Sequence, residues 1–434
     1  MTELSGREVP LVSFVVIAYN VEAYIQRCLR SVLAQVGAPF EVVVVDDAST
    51  DATRERINEL AARDSRMHVV AKERNEGAHL ARRTGAAHTR GRFVYFIDGD
   101  DELSLHALEL MCGIVTSRHA DIYRLGCRVV SCGEESEASS VLAERALNRE
   151  TGHVRDEEIL LRAFGGLPEV RDSWSVVTCL YEGVFCRAAF AAMAEVRMGY
   201  MEDAYEFFVL ASRASRLENA SDLIAFTYYL GAGRSGYGYM ALDVFCSRQR
   251  EVRALAREVA AFAEADGRET LRLCAGWFRQ ECLRTLSNEW TVRLQSADQV
   301  AAVPALVETW GTVSACTMLA SPLMGRATWV LQDDARLSDS LFCAWRAEWD
   351  RLAAEAVLPH EQEFSDLTAA LAQVDARIAM QDAAARARVE REAELARAAE
   401  VRARRWYMRV ANVLLPHGST RRRVLAAAYR ELRR

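Results

Sequence analysis

Short apolar runs alternate with segments of helical spacing along the first 130 residues. The runs are rich in β-branched residues, typical of strands buried on both faces of a sheet, and they comprise residues 12–18, 41–46, 67–71 and 92–98. The segments between them carry apolar residues three or four positions apart, as amphipathic helices do, and they comprise residues 22–36, 52–63 and 77–89. This alternation predicts a mostly parallel, Rossmann-like α/β sheet.

The pattern changes after residue 130. Residues 131–150 are rich in serine and glutamate and predict a surface excursion. Apolar and aromatic residues at 174–190 and 222–230 predict strands and short helices that complete a first domain over 1–240. From 241 to 358 the apolar spacing is helical, which predicts a separate all-helical unit.

A heptad seam follows beyond residue 359. Apolar residues recur there at alternating intervals of three and four, at Phe364, Leu367, Leu371, Val374 and Ile378. The spacing predicts a long helix over 359–405. This helix either folds back on the body or pairs with a second copy as a coiled coil, giving a homodimer through 364–400. Residues 406–434 remain as a basic amphipathic tail.

Composition narrows the class of protein. A chain of 434 residues that is 51% hydrophobic and 26% charged predicts two or three globular domains and excludes a disordered or collagen-like chain. It has no run of about 18 apolar residues, and its first residues lack the layout of a signal peptide. Eleven cysteines without a C-x-x-C pair argue against zinc and against a disulfide framework. We therefore predict a cytoplasmic protein.

The charge is distributed unevenly. The net charge is −7, but residues 401–434 hold ten arginines and one acid, a net +9 that leaves −16 for the first 400 residues. Arginines beside Trp406 and a set of valines and leucines are typical of a helix lying on an anionic membrane. The tail predicts peripheral attachment to the inner face of the membrane, with a solvated helix end as the alternative. Nucleic acid is not expected as a partner because the body is acidic.

Polar residues follow three of the predicted strands. They are Tyr19 and Asn20 after the first strand, Asp46 and Asp47 after the second, and Asp98, Asp100 and Asp101 after the fourth. Ligands bind at the carboxyl edge of an open parallel sheet. A single acid at a strand end is usually a helix cap, but three groups on one edge favour a binding site.

The last of these groups places three carboxylates within four residues, and Gly99 permits a tight turn between them. Carboxylates this close disfavour joint ionisation unless a cation neutralises them. Hard oxygen ligands suit Mn²⁺ or Mg²⁺, usually completed by substrate phosphates. The chain has neither G-x-x-x-x-G-K-[ST] nor G-x-G-x-x-G after the first strand. We therefore predict a divalent cation held by carboxylates and a diphosphate.

In their order and spacing, these segments resemble the family 2 glycosyltransferases of the GT-A fold, of the type that builds bacterial cell-surface polysaccharides. The matching segments are 16–20 (VIAYN), 45–51 (VDDASTD), 75–85 (NEGAHLARRTG), 96–101 (FIDGDD) and 201–203 (MED), the last followed by Phe207 and Phe208. The resemblance covers about residues 10–240. It implies an inverting transfer of a sugar from a nucleotide-diphosphate sugar to a hydroxyl group on a glycan or lipid-linked acceptor, with Mn²⁺ or Mg²⁺ as cofactor.

The resemblance also implies roles for single residues. Ala18, Tyr19 and Asn20 would line the nucleotide site. Asp47 would accept the N3–H of a uracil base. Arg82 would face the nucleotide and its phosphates.

The remaining roles concern the metal, the sugar and the proton. Asp98 and Asp100 match the D-x-D pair beside the nucleotide, with Asp100 as the direct metal ligand. Asp101 would lie near the sugar or behind the metal. Asp203 matches the catalytic base, with Glu202 beside it. The pair could instead cap a helix over 204–215.

Departures from the family pattern are few. Ala18 replaces a common proline and Arg83 a common asparagine, and neither position carries chemistry. The segment 229–235 (YLGAGRS) is glycine-rich, so Arg234 is only a candidate phosphate contact. One alternative function is a non-catalytic nucleotide-sugar-binding relative that scaffolds an assembly. Another is a nucleotidyltransferase, which would favour a glycine-rich basic phosphate loop that the first strand lacks.

Overall fold

The computed structural model describes residues 9–133, 136–149, 152–166, 172–232, 238–359, 361–414 and 417–431. Its strands are β1 (Val12–Ala18), β2 (Phe40–Asp46), β3 (Met67–Ala71), β4 (Phe93–Asp98), β5 (Glu102–Leu103), β6 (Ile122–Ser131), β7 (Val154–Arg155), β8 (Cys179–Glu182) and β9 (Arg216–Leu230). The helices up to β9 are α1 (Ile25–Leu33), α2 (Thr53–Ala61), α3 (Ala78–Ala87), α4 (Ala107–Ser117), α5 (Glu137–Leu147), α6 (Glu157–Phe164), α7 (Gly183–Ala191) and α8 (Glu202–Arg213).

Beyond β9 the described residues form helices only. They are α9 (Leu242–Asp266), α10 (Glu269–Arg293), α11 (Ser296–Trp310), α12 (Thr312–Val330), a 3-10 helix (Asp334–Ser338), α13 (Ser340–Glu355), α14 (Gln362–Leu414) and α15 (Thr420–Glu431). The predicted order of an α/β domain followed by helices and a long C-terminal helix is confirmed.

The strands of the described chain form one mixed sheet in the order β3-β2-β1-β4-β8-β6-β9-β5, with β7 beside β9. The first four are mutually parallel, whereas β8 is antiparallel to both β4 and β6. In the parallel half, Ala18 lies opposite Asp46 and Ile17 opposite Asp98. The carboxyl ends of β1, β2 and β4 therefore reach the same edge of the sheet.

Close packing of α3 on the sheet sets the position of the residues that α3 carries. All seven residues of β1 and of β2 are buried, as expected for strands covered on both faces. Gly85 of α3 lies directly over β1, where a Cβ atom would stand 2.3 Å from Val15 Cγ1. Only a glycine lets the two backbones approach this closely.

The region 131–150, predicted as a surface excursion, contains α5, which covers an open part of β6. Asn148 accepts a hydrogen bond from the Cys127 N–H at 2.8 Å and donates one to the Cys127 carbonyl at 2.6 Å. Glu144 accepts from the Val129 N–H at 2.8 Å. Side chains thus replace the neighbouring strand that β6 lacks beyond its short pairing with β8.

By packing, the chain divides into two compact units. One comprises Met1–Leu319 with Glu348–Val357, and the other Ala320–Ala347 with Leu358–Arg434. The domain limits predicted from the sequence, at residues 240, 358 and 405, remain predictions. None of the helices in the described ranges is long and apolar enough to cross a membrane.

Candidate active site

The loops after β1 and β2 are tied together at the predicted nucleotide site. The Asn20 N–H donates to Ser49 Oγ at 3.1 Å, and Asn20 Oδ1 accepts from the Thr50 N–H at 2.8 Å. Asn20 adopts a left-handed backbone, φ 52°, which asparagine tolerates better than most residues. Ala18 is buried, whereas Tyr19 is 39% exposed and so accessible to a ligand.

Asp47 is buried, and its carboxylate is bound by other groups of the chain. Its carboxylate accepts hydrogen bonds from the backbone N–H groups of Glu76 and Gly77, at 3.1 and 2.7 Å, and lies 3.3 Å from Lys72 Nζ. It therefore organises the turn that leads into α3. The uracil contact implied by the resemblance stays a prediction.

The loop after β4 concentrates the carboxylates. Burial, followed by the charge of Asp98, raises the pKa of Asp100 to about 6. Burial also raises the pKa of Asp101 well above its ordinary value. One Asp101 oxygen accepts from the Tyr229 N–H at 2.9 Å, whereas the other is buried without a hydrogen-bond partner. A cation near this loop would relieve the charge that now opposes ionisation.

Two residues support this loop from outside: Arg27, which the sequence did not single out, and Tyr229, the first residue of the glycine-rich segment 229–235. Arg27 of α1 donates to the Asp100 carbonyl at 2.6 Å, and its guanidinium carbon lies 3.7 Å from the centre of the Tyr229 ring. Tyr229 of β9 donates its hydroxyl hydrogen to Glu102 at 2.5 Å, and Glu102 also pairs with Arg27 at 3.2 Å. Single polar residues on a helix and a strand give no sequence signal of such a long-range contact.

Arg82 of α3 lies at the centre of the acids rather than on an open surface. It donates to Asp98 at 3.1 Å and to Glu206 at 3.1 Å, and its Nη1 is 3.4 Å from Glu202. Although burial opposes the charged form, these carboxylates hold the pKa of Arg82 well above its ordinary value. Its Nε atom is buried without a hydrogen-bond partner. The structure thus brings Arg82, Asp98 and Glu202 together.

Glu202 and Asp203 are the first two residues of α8, and the preceding Met201 has a left-handed backbone, φ 58°. Met201 is the N-cap residue, so neither acid is the cap of a helix over 204–215. The Asp203 carboxylate accepts a hydrogen bond from the N–H of Ala204 at 2.8 Å. Burial, followed by repulsion from Glu202, raises the pKa of Asp203 to about 7. A carboxylate with this pKa can accept a proton near neutral pH.

The carboxylates at this edge fit a cation that is completed by a substrate. Among the described residues no group of three or more His, Cys, Asp or Glu side chains is arranged to hold a metal by itself. Asp98 and Asp100 offer two carboxylates, which suits Mn²⁺ or Mg²⁺ only if phosphate or water oxygens supply the other ligands. Arg234, the candidate phosphate contact, lies outside the described residues.

Comparison with known proteins finds relatives of the N-terminal part of the chain. Residues 13–165 match glycosyl transferase family 2. The chain is 41% identical over 100 residues to TuaG of Bacillus subtilis (strain 168), a glycosyltransferase named for teichuronic acid biosynthesis; the match covers 23% of this chain and 40% of TuaG. It is 30% identical over 158 residues to the uncharacterized glycosyltransferase EpsJ of the same strain, a match that covers 35% of this chain and 46% of EpsJ. The chain thus spans less than half the length of these relatives.

The fold has a counterpart among solved structures. The crystal structure of S. aureus TarS 1-349 in complex with UDP-GlcNAc superimposes with a TM-score of 0.51 at 19% identity, covering 81% of this chain and 93% of that chain. At this identity the likeness concerns the fold alone. Together with the order of β1 to β4 and the match over 13–165, it confirms the GT-A fold. Residues 13–165 are therefore similar to the family 2 glycosyltransferases, and bacterial glycosyltransferases are among the relatives of this part of the chain.

Proposed function

We propose that this chain is an inverting glycosyltransferase that moves a sugar from a nucleotide-diphosphate sugar to a hydroxyl group of an acceptor. The observation that carries the proposal is the convergence on Arg82 of the loop after β4 and the start of α8. Asp98 lies on one side of its guanidinium group and Glu202 on the other. One edge of the sheet thus offers carboxylates for a metal ion, the buried guanidinium group of Arg82 for a leaving diphosphate, and a carboxylate base, Asp203.

The donor would bind across the ends of β1 and β2. Tyr19 is exposed there, and Asn20 and the loop after β2 hold each other in place. TarS, which shares the fold, was crystallised with UDP-GlcNAc. A UDP-sugar is therefore the first donor to test.

The cofactor would be Mn²⁺ or Mg²⁺ at Asp98 and Asp100. Bound there, the cation would neutralise charge that develops on the departing diphosphate. Arg82 contributes a second positive charge at the same place, and it is already oriented by Asp98 and Glu206. Asp101, whose second oxygen has no hydrogen-bond partner, would contact the sugar.

Asp203 would be the base in a single displacement. The acceptor oxygen forms a bond to the anomeric carbon while the bond from that carbon to the diphosphate oxygen breaks. The hydroxyl proton passes to the Asp203 carboxylate. Attack opposite to the leaving group inverts the configuration, so one carboxylate is enough and no covalent intermediate forms.

The experiment is a screen for UDP release from a panel of UDP-sugars in the presence of Mn²⁺ or Mg²⁺, with the full chain. Release that requires the cation and is lost in Asp100→Ala would support the proposal. Binding of UDP without release from any donor would favour the alternative, a non-catalytic nucleotide-sugar-binding scaffold. Full activity of Asp100→Ala in EDTA would contradict the metal role.

The acceptor would be a cell-surface glycan or a lipid-linked precursor. TuaG is named for teichuronic acid biosynthesis, and ExoO of Rhizobium meliloti (strain 1021), 43% identical over 104 residues, is named for succinoglycan biosynthesis. Both names refer to polymers made by bacteria. A membrane-proximal acceptor would also give the basic tail a purpose.

The tail would attach the enzyme to an anionic membrane surface. Trp406 is 68% exposed on α14, with Arg405 and Arg409 on either side of it in sequence, and α15 exposes Val424 among arginines 421–423. Each basic residue near an anionic leaflet contributes about 1 kcal/mol. Attachment would place the enzyme at the inner face of the membrane.

Sedimentation with phosphatidylglycerol-containing vesicles tests this attachment. We expect the full chain to sediment at 0.05 M salt and to be released at 0.5 M, because salt screens exposed charges. A chain that ends at Glu400 is the matched control and should stay in the supernatant. If the two proteins behave alike, the tail is not a membrane anchor.

A homodimer through 364–400 has less apolar surface to use than the heptad spacing indicated. Phe364, Leu367, Leu371 and Val374 are buried within a single copy, and the helix beyond them is exposed but rich in alanine and charge. A dimer would therefore pair the later part of α14. Light scattering tests this dimer. The wild type should have the mass of two chains, and Val389→Glu should have the mass of one.

A further inference from the structure

A buried histidine lies behind the candidate site, on the same helix as Arg82. His79 of α3 is fully buried and packs edge-on against the ring of Tyr205, with 5.5 Å between ring centres. Its Nδ1 is 3.0 Å from Glu206 Oε1, and its Nε2 is 2.9 Å from the Ala194 carbonyl oxygen. A carbonyl oxygen can only accept, so Nε2 donates to Ala194. Both ring nitrogens are therefore committed to contacts with other elements.

Glu206 is the second member of this pair. Its carboxyl group is fully buried, with His79 at one oxygen and Arg82 Nη1 at the other, 3.1 Å away. A buried carboxyl group is costly unless such partners satisfy it. The spacing is regular on both helices, because His79 and Arg82 are three residues apart on α3, and Asp203 and Glu206 three apart on α8. Residues at this spacing lie on one helix face.

The pair also holds the segment that leads into α8. The Ala194 carbonyl accepts from His79, and the Ala194 N–H donates to the Tyr205 hydroxyl at 2.8 Å. Both backbone groups of Ala194 are thus bound by side chains of α3 and α8. A second contact of this segment is with Gly77, where a Cβ atom would stand 3.0 Å from the Met198 carbonyl oxygen.

We propose that His79 and Glu206 are positioning residues for sugar transfer, which together hold Arg82 against Asp98 and hold the start of α8, with Asp203, in register with the loop after β4. The proposal rests on the transferase function given above. It assigns neither residue a contact with substrate. The path runs from His79 to Glu206, from Glu206 to Arg82, and from Arg82 Nη2 to Asp98 at 3.1 Å.

Three substitutions at position 79 separate the two contacts. His79→Leu removes both. His79→Asn places an amide near the former Nδ1 and so retains a partner for Glu206, whereas His79→Gln reaches towards the former Nε2 and retains a donor for Ala194. His88→Asn is the matched control, because His88 lies exposed at the end of the same helix and bonds only its own turn, at Thr84.

Each variant is measured as the full chain, in three ways. Amide hydrogen exchange over residues 192–206 reports the segment and α8 without any ligand. Titration calorimetry with UDP and MnCl₂ reports binding at the carboxylate edge. UDP release from the best UDP-sugar of the panel reports turnover.

We expect His79→Leu to speed exchange over 192–206 about tenfold or more and to lower turnover about 100-fold, because a small misplacement of a reacting group has an effect of this size. Its affinity for UDP and Mn²⁺ should fall by a smaller factor. His79→Gln should restore slow exchange before α8, and His79→Asn should restore more of the turnover. Glu206→Leu should resemble His79→Leu, and Glu206→Gln, which retains both hydrogen bonds, should recover most of the activity.

The proposal is overturned if His79→Leu lowers the thermal midpoint but matches His88→Asn in exchange over 192–206 and in turnover at a temperature where it is folded. His79 would then be a packing residue. If the wild type releases UDP from no donor, the proposed transferase function is wrong. Hydrogen exchange and UDP–Mn²⁺ binding then still test whether His79 is a positioning residue. Faster exchange with weaker UDP–Mn²⁺ binding in His79→Leu supports positioning, and no change in either contradicts it.

Discussion

At the scale of the residue, the site is governed by carboxyl groups that are held together against their own repulsion. Asp98 lies beside Arg82, whereas Asp100 and Asp203 have raised pKa values because burial and neighbouring acids oppose their ionised forms. Clustered carboxyl groups with raised pKa values mark candidate functional sites. They also make activity and stability depend on pH in opposite directions.

The pKa of Asp203 sets the pH dependence expected for transfer. The base acts when ionised, so turnover should rise with pH and reach half its maximum near pH 7. In Asp203→Asn the rise of turnover with pH should disappear, and turnover should fall by about 10²–10⁴-fold, with UDP affinity almost unchanged. The measurement is turnover for UDP release from pH 5.5 to 8.5. Unchanged turnover with weakened UDP binding would move Asp203 to a binding role.

The pKa of Asp100 has a consequence for stability. Its value in the folded protein is about 6, above the ordinary value of 3.8, so the folded state favours the protonated form. The associated stability is present below about pH 4 and is lost as pH rises through 6. In EDTA at pH 8, Asp100→Asn should therefore be more stable than the wild type, by about 1–3 kcal/mol.

Thermal unfolding at two pH values tests that consequence. At pH 4.5 the midpoints of wild type and Asp100→Asn should differ less than at pH 8, because Asp100 of the folded protein is then mostly protonated. At pH 8, MnCl₂ should raise the midpoint of the wild type but not that of the variant. A variant that melts earlier than the wild type at pH 8 without metal would show that burial does not oppose the ionised carboxylate.

At the scale of the element, the sequence was most informative where burial is complete. Strands that are buried on both faces have almost continuous apolar sequences, so the ends of β1 to β4 were predicted to within one residue. Helix α5 was missed because it lies on the surface. It is held to β6 by hydrogen bonds from polar side chains, and these give no apolar spacing in the sequence. The acids after β2 and β4 were singled out because they follow strands, whereas Glu202 and Asp203 were indicated by the resemblance to the family. The contacts of Arg27 with Asp100 and of His79 with Glu206 were not found, since they join positions 73 and 127 residues apart.

The packing of α3 on β1 gives a prediction at this scale. In Gly85→Ala the new methyl group would lie 2.3 Å from Val15 Cγ1 and 3.3 Å from Val45 Cγ2, so α3 must move off the sheet. We expect a loss of about 1–3 kcal/mol of stability and reduced turnover, because α3 carries Arg82.

Gly113→Ala is the matched control. Gly113 lies within α4, and a Cβ atom there would meet nothing within 4 Å. This change should raise stability slightly, because alanine is the better helix former by about 1 kcal/mol. Thermal midpoints and UDP release are compared for the two variants. Equal midpoints for both would mean that the sheet yields to α3 without cost.

At the scale of the whole molecule, the two ends of the chain have opposite electrostatic character. The first 400 residues carry −16 and residues 401–434 carry +9. The sequence showed this asymmetry directly, because charge can be counted without a fold. The heptads alone did not show whether α14 folds back on its own chain or pairs with a second copy, since both arrangements have the same apolar spacing. The structure buries the first part of the seam within one copy and leaves the later part exposed.

The cover that α5 provides for β6 bears on how copies of this protein behave in concentrated solution. A strand edge with unpaired N–H and C=O groups is a template for strands of other molecules. Asn148 binds both backbone groups of Cys127, and Glu144 accepts from the N–H of Val129, so these groups of the β6 edge already have partners. Asn148→Ala with Glu144→Ala should leave UDP release intact in fresh protein and accelerate thioflavin-positive aggregation at 37 °C, compared with Glu137→Ala on the same helix. Aggregation of this protein would then depend on Glu144 and Asn148, two side chains at a surface helix that have no part in the proposed reaction.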